Sequence, residues 1–163
     1  MVPEDRKRLG IFLNLNVTEN ISICSLFHAI RNGLLSTKAE EDIVANPMNQ
    51  IGIKTPSLTA SISELSGGNQ QKCIISRWLL TKPHVLLLDD PTRGIDVGAK
   101  AELYELIDTL CQRGLAVVLT SSELPELLTL SDRIIVMAEG RVTAEFSRDE
   151  ANEKKIMTAA TLA

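Results

Sequence analysis

Leu65-Ser66-Gly67-Gly68-Asn69-Gln70-Gln71-Lys72, followed by Val85-Leu86-Leu87-Leu88-Asp89-Asp90-Pro91-Thr92, decides the fold. The first stretch sets a hydroxyl and two glycines at the start of a predicted helix, about Asn69 to Leu80. Glycine lets backbone N–H groups approach an oxyanion closely, Ser66 adds a donor, and the positive end of the helix dipole favours negative charge. Taken alone, Ser-Gly-Gly reads more simply as a helix cap after a flexible turn; the eight residues together are far more specific. The second stretch is an apolar strand that delivers two acids at its carboxyl end, where open parallel sheets bind ligands. Asp89 is placed for a hard cation such as Mg2+ or its waters, and Asp90 for polarising an attacking water. A strand leaving into an ordinary Asp-Pro turn would use the same letters.

Outward from this centre the chain alternates. A strand at Val85–Leu88, a helix at about Val97–Arg113, a strand at Ala116–Thr120, a short helix at about Glu123–Leu128 and a strand at Arg133–Met137 imply an α/β fold with a helix-covered parallel sheet. The runs Val85–Leu88 and Ala116–Leu119 are continuously apolar, which predicts strands buried on both faces. Glu139-Gly140 marks a hairpin turn, and Ser147 to Ala163 reads as a small helix with a frayed tail. Before the glycines, Ile21, Ile23, Leu26, Phe27 and Ile30 recur at roughly helical spacing, predicting one helix over Val17–Asn32 with Thr18 as N-cap and Gly33 as its stop. A second helix, Ser36 to Asn49, contains Pro47, which predicts a kink or an early end.

Composition narrows the function classes. The 163 residues suit one domain or part of one, and 44% hydrophobic content is ordinary for a globular chain. A net charge of -4 leaves no broad basic field for nucleic acid, and 3% aromatic content leaves little for base stacking. Cys24, Cys73 and Cys111 have no metal spacing and read as free thiols. No apolar run has signal-peptide or membrane-spanning length, so a membrane role is expected to come through a partner. His28 and His84 lack a second ligand nearby and read as structural or exposed; Trp78 reads as packing for the helix after the glycines. Arg6, Lys7 and Arg8 read as a short solvated basic cluster.

LSGGNQQK followed by LLLDDPTRGIDVGAK resembles the ATPases of ABC transporters, with a signature motif, a Walker B strand and a D-loop in that order. The wording of Asn69-Gln70-Gln71, of Thr92 to Lys100, of Ser121-Ser122-Glu123-Leu124-Pro125-Glu126 and of VPEDRKRLG is similar to the second cassette of the fused importers for ribose, galactose, xylose and related molecules. The resemblance implies an incomplete P-loop NTPase-like fold: a helical subdomain over residues 17–80 including the signature helix, a core over 81–146 and a tail over 147–163. It also implies ATP and Mg2+ as cofactors. Ser66, Gly67, Gly68 and Asn69 would meet the γ-phosphate of ATP held by a second cassette packed head to tail. Asp89 would be the Walker B acid, Asp90 would stand at the catalytic glutamate, and Asp96 would be the D-loop aspartate. Glu4 would lie at or near the Q-loop position and Ser122 at that of the switch histidine. The outer surface of Val17 to Ile62 would receive a membrane permease, served by a periplasmic solute-binding protein, at the inner face of the plasma membrane.

Departures from the pattern bear on chemistry. Asp90 is one methylene shorter than glutamate, and a shortfall of about an ångström can cost around 100-fold in rate. Ser122 supplies no imidazole. The sequence contains no G-x-x-x-x-G-K-[ST] stretch, which would cradle β- and γ-phosphates. The chain by itself is therefore expected to bind ATP weakly and to turn it over little, and missing strands are expected to leave apolar surface exposed. The alternative to an energy-coupling ATPase part is a non-catalytic cassette remnant that docks on a permease or another cassette. An ABC-type ATPase of DNA repair or translation fits the acidic pI of about 5.2 poorly.

Overall fold

The computed structural model describes residues 1–161 and is mixed α/β. It divides into two compact units, Met1–Val118 and a second from Leu119 onward.

In the first unit, a π-helical turn at Arg6–Gly10 leads to helix α1, Val17–Ser22. Its cap is Asn16, not Thr18: the Asn16 side chain accepts from the Glu19 N–H while Glu19 accepts from the Asn16 N–H, a reciprocal capping box. Thr18 lies inside the first turn, buried, its hydroxyl donating to the Leu58 carbonyl. The expected helix to Asn32 breaks at Ser22. A 3₁₀ turn at Leu26–Ala29 follows, then strands β1 (Ile30–Arg31) and β2 (Leu34–Leu35) paired antiparallel. Asn32 and Gly33 both take positive φ, 52° and 83°, as a two-residue hairpin of this hand requires, so Gly33 turns a hairpin instead of stopping a helix.

Helix α2 spans Thr37–Ile51 and is not ended by Pro47. Val44, Met48 and Ile51 are buried along it, and burial past the proline holds the last turn where the lost hydrogen bond would release it. Gly52, left-handed at φ 66°, closes the helix. Helix α3, Gly67–Leu79, packs against α1 and α2 and is buried at nearly every position from Gly68 to Arg77. Its two long buried cations find partners, whereas the buried Ser76 hydroxyl has none. Arg77 donates to the carbonyls of Asn20 (2.5 Å) and Gly10 (2.6 Å) and to Asn20 Oδ1 (3.0 Å), with its guanidinium over the Phe12 ring. Lys72 reaches Glu102 of helix α4, Val97–Gln112, at 2.6 Å.

Strand β3, Val85–Asp89, is hydrogen-bonded to strand β4, Ala116–Thr120, the Ala116 N–H donating to the His84 carbonyl. On its other edge Val2 makes a parallel bridge, its N–H donating to Leu87 and its carbonyl accepting from Asp89. Burial along β3 alternates: Leu86 and Leu88 are buried, whereas Val85 and Leu87 are 51% and 43% exposed. The expectation of burial on both faces fails because an apolar run does not by itself supply a second covering layer.

In the second unit, helix α5 is Leu124–Leu130, and strands β5 (Arg133–Ala138) and β6 (Arg141–Ser147) form an antiparallel hairpin. Glu139 and Gly140 turn it with φ of 48° and 77°, as the sequence indicates. Helix α6, Glu153–Ala160, is capped by Asn152, and Ile156 and Ala159 pack with Ile134 and Val136 in a small core. The last part of the expected frayed tail lies outside the described residues.

Candidate functional site

The signature turn is built by helix capping. Ser66 is the N-cap of α3; its Oγ accepts from the Asn69 N–H at 3.4 Å and from Asn69 Nδ2 at 3.0 Å. Asn69 Oδ1 in turn accepts from the Lys54 N–H at 2.8 Å, so its side chain ties the preceding loop to the helix. Ser66 is exposed, Gly67 half-buried and Gly68 buried. Its hydroxyl hydrogen and the helix's positive end thus stand at the surface, able to meet an anion.

Both glycines answer to neighbours within the chain. A Cβ on Gly68 would lie 2.6 Å from the Ala99 Cβ, so Gly68 permits α3 and α4 to pack closely. At Gly67 the corresponding neighbour is Arg6 Nη2, at 2.5 Å. Close packing of this kind is not among the reasons the sequence offers for these glycines, which are ligand approach and a flexible turn before a cap.

Asp96 caps α4, its Oδ1 accepting from the Ala99 N–H at 3.0 Å, and is exposed. The loop before it is formed by successive turns: Arg93 N–H donates to the Asp90 carbonyl at 3.1 Å and Ile95 N–H to the Thr92 carbonyl at 3.1 Å. Because α3 and α4 touch at Gly68 and Ala99, the helix starts that carry Ser66 and Asp96 belong to one packed arrangement.

At the end of β3, Asp89 is half-buried and Asp90 buried. Asp90 holds a left-handed backbone, φ 42°, a conformation that Asp tolerates better than most residues and that still stores strain of order 1 kcal/mol. Thr92 beside it is wholly buried. Among the described residues no three His, Cys, Asp or Glu side chains stand together as a ready metal cage.

Glu4 forms an ion pair with Arg93, linking the N-terminal segment to the loop ahead of Asp96. Arg6, read from sequence as part of a solvated cluster, is instead engaged: Nη1 donates to the Arg93 carbonyl at 2.9 Å, Nη2 to the Gly94 carbonyl at 3.1 Å and Nε to Gln70 Oε1 at 3.4 Å. Lys7 and Arg8 are exposed. No local signal marks Arg6, because its partners lie up to 88 positions away. Ser122 lies in the second unit, exposed between β4 and α5.

Known proteins resemble this chain in sequence and in fold. Residues 1–93 match the family model described as ABC transporter. The chain is 51% identical over 161 residues to the xylose import ATP-binding protein of Moorella thermoacetica, covering 99% of this chain and 32% of that protein. It is 52% identical over 160 residues to the ribose import ATP-binding protein of Rhodopirellula baltica, covering 98% and 31%. The chain thus spans about a third of the length of the curated relatives it matches. A dimeric ATP-binding cassette in a post-hydrolysis state with ADP and Pi superposes with TM-score 0.70 at 23% identity, covering 85% of this chain and 59% of that one. An inward-facing metal-chelate type ABC transporter superposes with TM-score 0.77 at 17% identity, covering 91% and 58%. At these identities the structures speak for the fold.

Proposed function

This chain belongs to the ABC transporter family of ATP-binding proteins, and from that premise we propose that it is the signature-bearing part of the ATP-hydrolysing, energy-coupling subunit of a sugar importer. The observation that carries the reading is the joint presentation of exposed Ser66 and exposed Asp96 as caps of two helices packed through Gly68 and Ala99. In this reading Ser66 and the Gly67 amide donate to the γ-phosphate of ATP held by a second cassette, and the Asp96 loop lies along the same interface. Asp89 would hold Mg2+, which would supply charge to offset that of the phosphates, and Asp90 would orient the attacking water for the chain's own half of the sandwich. The division into a helical subdomain at 17–80, a core at 81–146 and a tail at 147–163 belongs to this reading.

The relatives' names give sugars as cargo: xylose and ribose, and in others ribose, galactose or methyl galactoside. A membrane permease would receive the chain at the inner face of the plasma membrane, and a solute-binding protein would deliver the sugar.

The test is uptake of radiolabelled ribose, xylose and galactose by host cells carrying Ser66→Arg in this chain. Filling the anion site with a bulky side chain should lower uptake of at least one sugar by about 100-fold, the scale of losing one preorganised donor. Unchanged uptake of all of them would leave the non-catalytic docking module as the better account.

A further inference from the structure

Three segments far apart in sequence meet on one side chain. Arg6 joins the carbonyls of Arg93 and Gly94 with the two terminal nitrogens of its fork and Gln70 with its Nε. Gln70 passes the connection on, its Nε2 donating to the carbonyls of Ile62 and Leu65 at 3.2 Å each, in the loop that ends at Ser66. The guanidinium also fills the space beside Gly67 that any larger residue would need. Gly94 takes φ 65°, a left-handed conformation suited to glycine. Glu4 adds a second tie by holding the Arg93 side chain.

We propose that Arg6 is a positioning residue that couples the Ser66–Asn69 turn to the Arg93–Asp96 loop, so that a phosphate group of a partner-bound ATP met by the turn is felt at the loop. This rests on the reading that the Ser66 turn faces phosphate. The coupling is electrostatic and geometric. An anion at Ser66 and Gly67 attracts the adjacent guanidinium, and any shift of that planar group is felt at the two carbonyls it bonds. A lysine carries the same charge but lacks the rigid fork that spans both carbonyls, so Arg6→Lys should break the coupling while keeping the charge.

The experiment is nuclear magnetic resonance of the full chain, following backbone amides as inorganic tripolyphosphate is added. In the unsubstituted chain the amides of Ser66–Asn69 and of Arg93–Asp96 should move together along one saturation curve. In Arg6→Met, and in the milder Arg6→Lys, the Ser66–Asn69 amides should still move and the Arg93–Asp96 amides should stay. If both sets still move together in both variants, Arg6 is not the link and the proposal is overturned. If only Ser66–Asn69 moves in the unsubstituted chain, the proposal is overturned and the phosphate-facing reading stands. If neither set moves, the phosphate-facing reading falls and the proposal with it.

Discussion

The guanidinium of Arg6 occupies the place where a side chain on Gly67 would begin, with Nη2 2.5 Å from the position of a Cβ. A residue near the start of the chain therefore limits the room beside Gly67. Gly67→Ala should destabilise the chain by about 1 kcal/mol, the scale of displacing the flexible end of Arg6 from its carbonyl partners. Arg6→Ala should remove most of that penalty, so the double substitution should melt close to Arg6→Ala alone. Thermal melts of all four chains check this; equal penalties for Gly67→Ala in both backgrounds would refute the clash.

At the neighbouring glycine the obstacle is a helix packed alongside. Gly68→Ala should push α4 away from α3 and cost roughly 1–3 kcal/mol on the overpacking scale, because the space there is filled by Ala99. Ala99→Gly opens that space and should recover part of the loss. Denaturant titration reads the difference, and no recovery would show that α3 and α4 are not in register as described.

Glu102 provides a pH-dependent tie. Hydrogen bonds from Lys54 and Lys72, together with their charges, hold its carboxyl down at about 2. A depressed carboxyl contributes stability that is complete above its ordinary value of 4.5 and fades as pH falls towards 2. The melting temperature of the unsubstituted chain should thus drop more steeply than that of Glu102→Gln between those values. Parallel curves would show that the bridge is inert. Half of the Glu102 side chain is in water, so the effect is modest.

Arg77, on α3, is a buried counterpart of Arg6 in the Arg6–Gly10 turn. Burial lowers its affinity for a proton, and its hydrogen bonds to Asn20 and Gly10 offset the desolvation. Arg77→Met keeps the bulk and strands those acceptors, costing about 3 kcal/mol by urea unfolding. A loss below about 1 kcal/mol would mean that water replaces the guanidinium.

The readable parts of this chain were those with local causes. Ser66, Asp89 and the Glu139-Gly140 turn follow from capping, strand ends and turn chemistry, each set within a few residues, whereas Asp96 came only from the resemblance and its cap on α4 from the structure. Asn32-Gly33 is a hairpin signal of the same local kind, but the apolar spacing across Val17–Asn32 mimics a helix and hides it. Thr18 and Asn16 are both good caps; the choice falls to Asn16 because Glu19 completes its capping box and Thr18 is drawn to Leu58. The roles of Arg6, Glu4 and Arg77 were not legible, because each depends on carbonyls or side chains brought together only by folding. The exposure of Val85 and Leu87 was hidden for a similar reason: a strand's composition does not say which of its faces is covered.

The central claim, that Ser66 presses onto a nucleotide held by a partner cassette, is tested most directly by labelling Ser66→Cys with a maleimide in host membranes. The exposed Cys24 and Cys111 are first replaced by serine; Cys73 is buried with its thiol pushed up to about 12, and stays unreactive. Trapping with ATP and vanadate should slow labelling by at least about tenfold relative to nucleotide-free membranes, since closure of a cassette pair covers the turn. Equal labelling rates with and without trapped nucleotide would contradict the account.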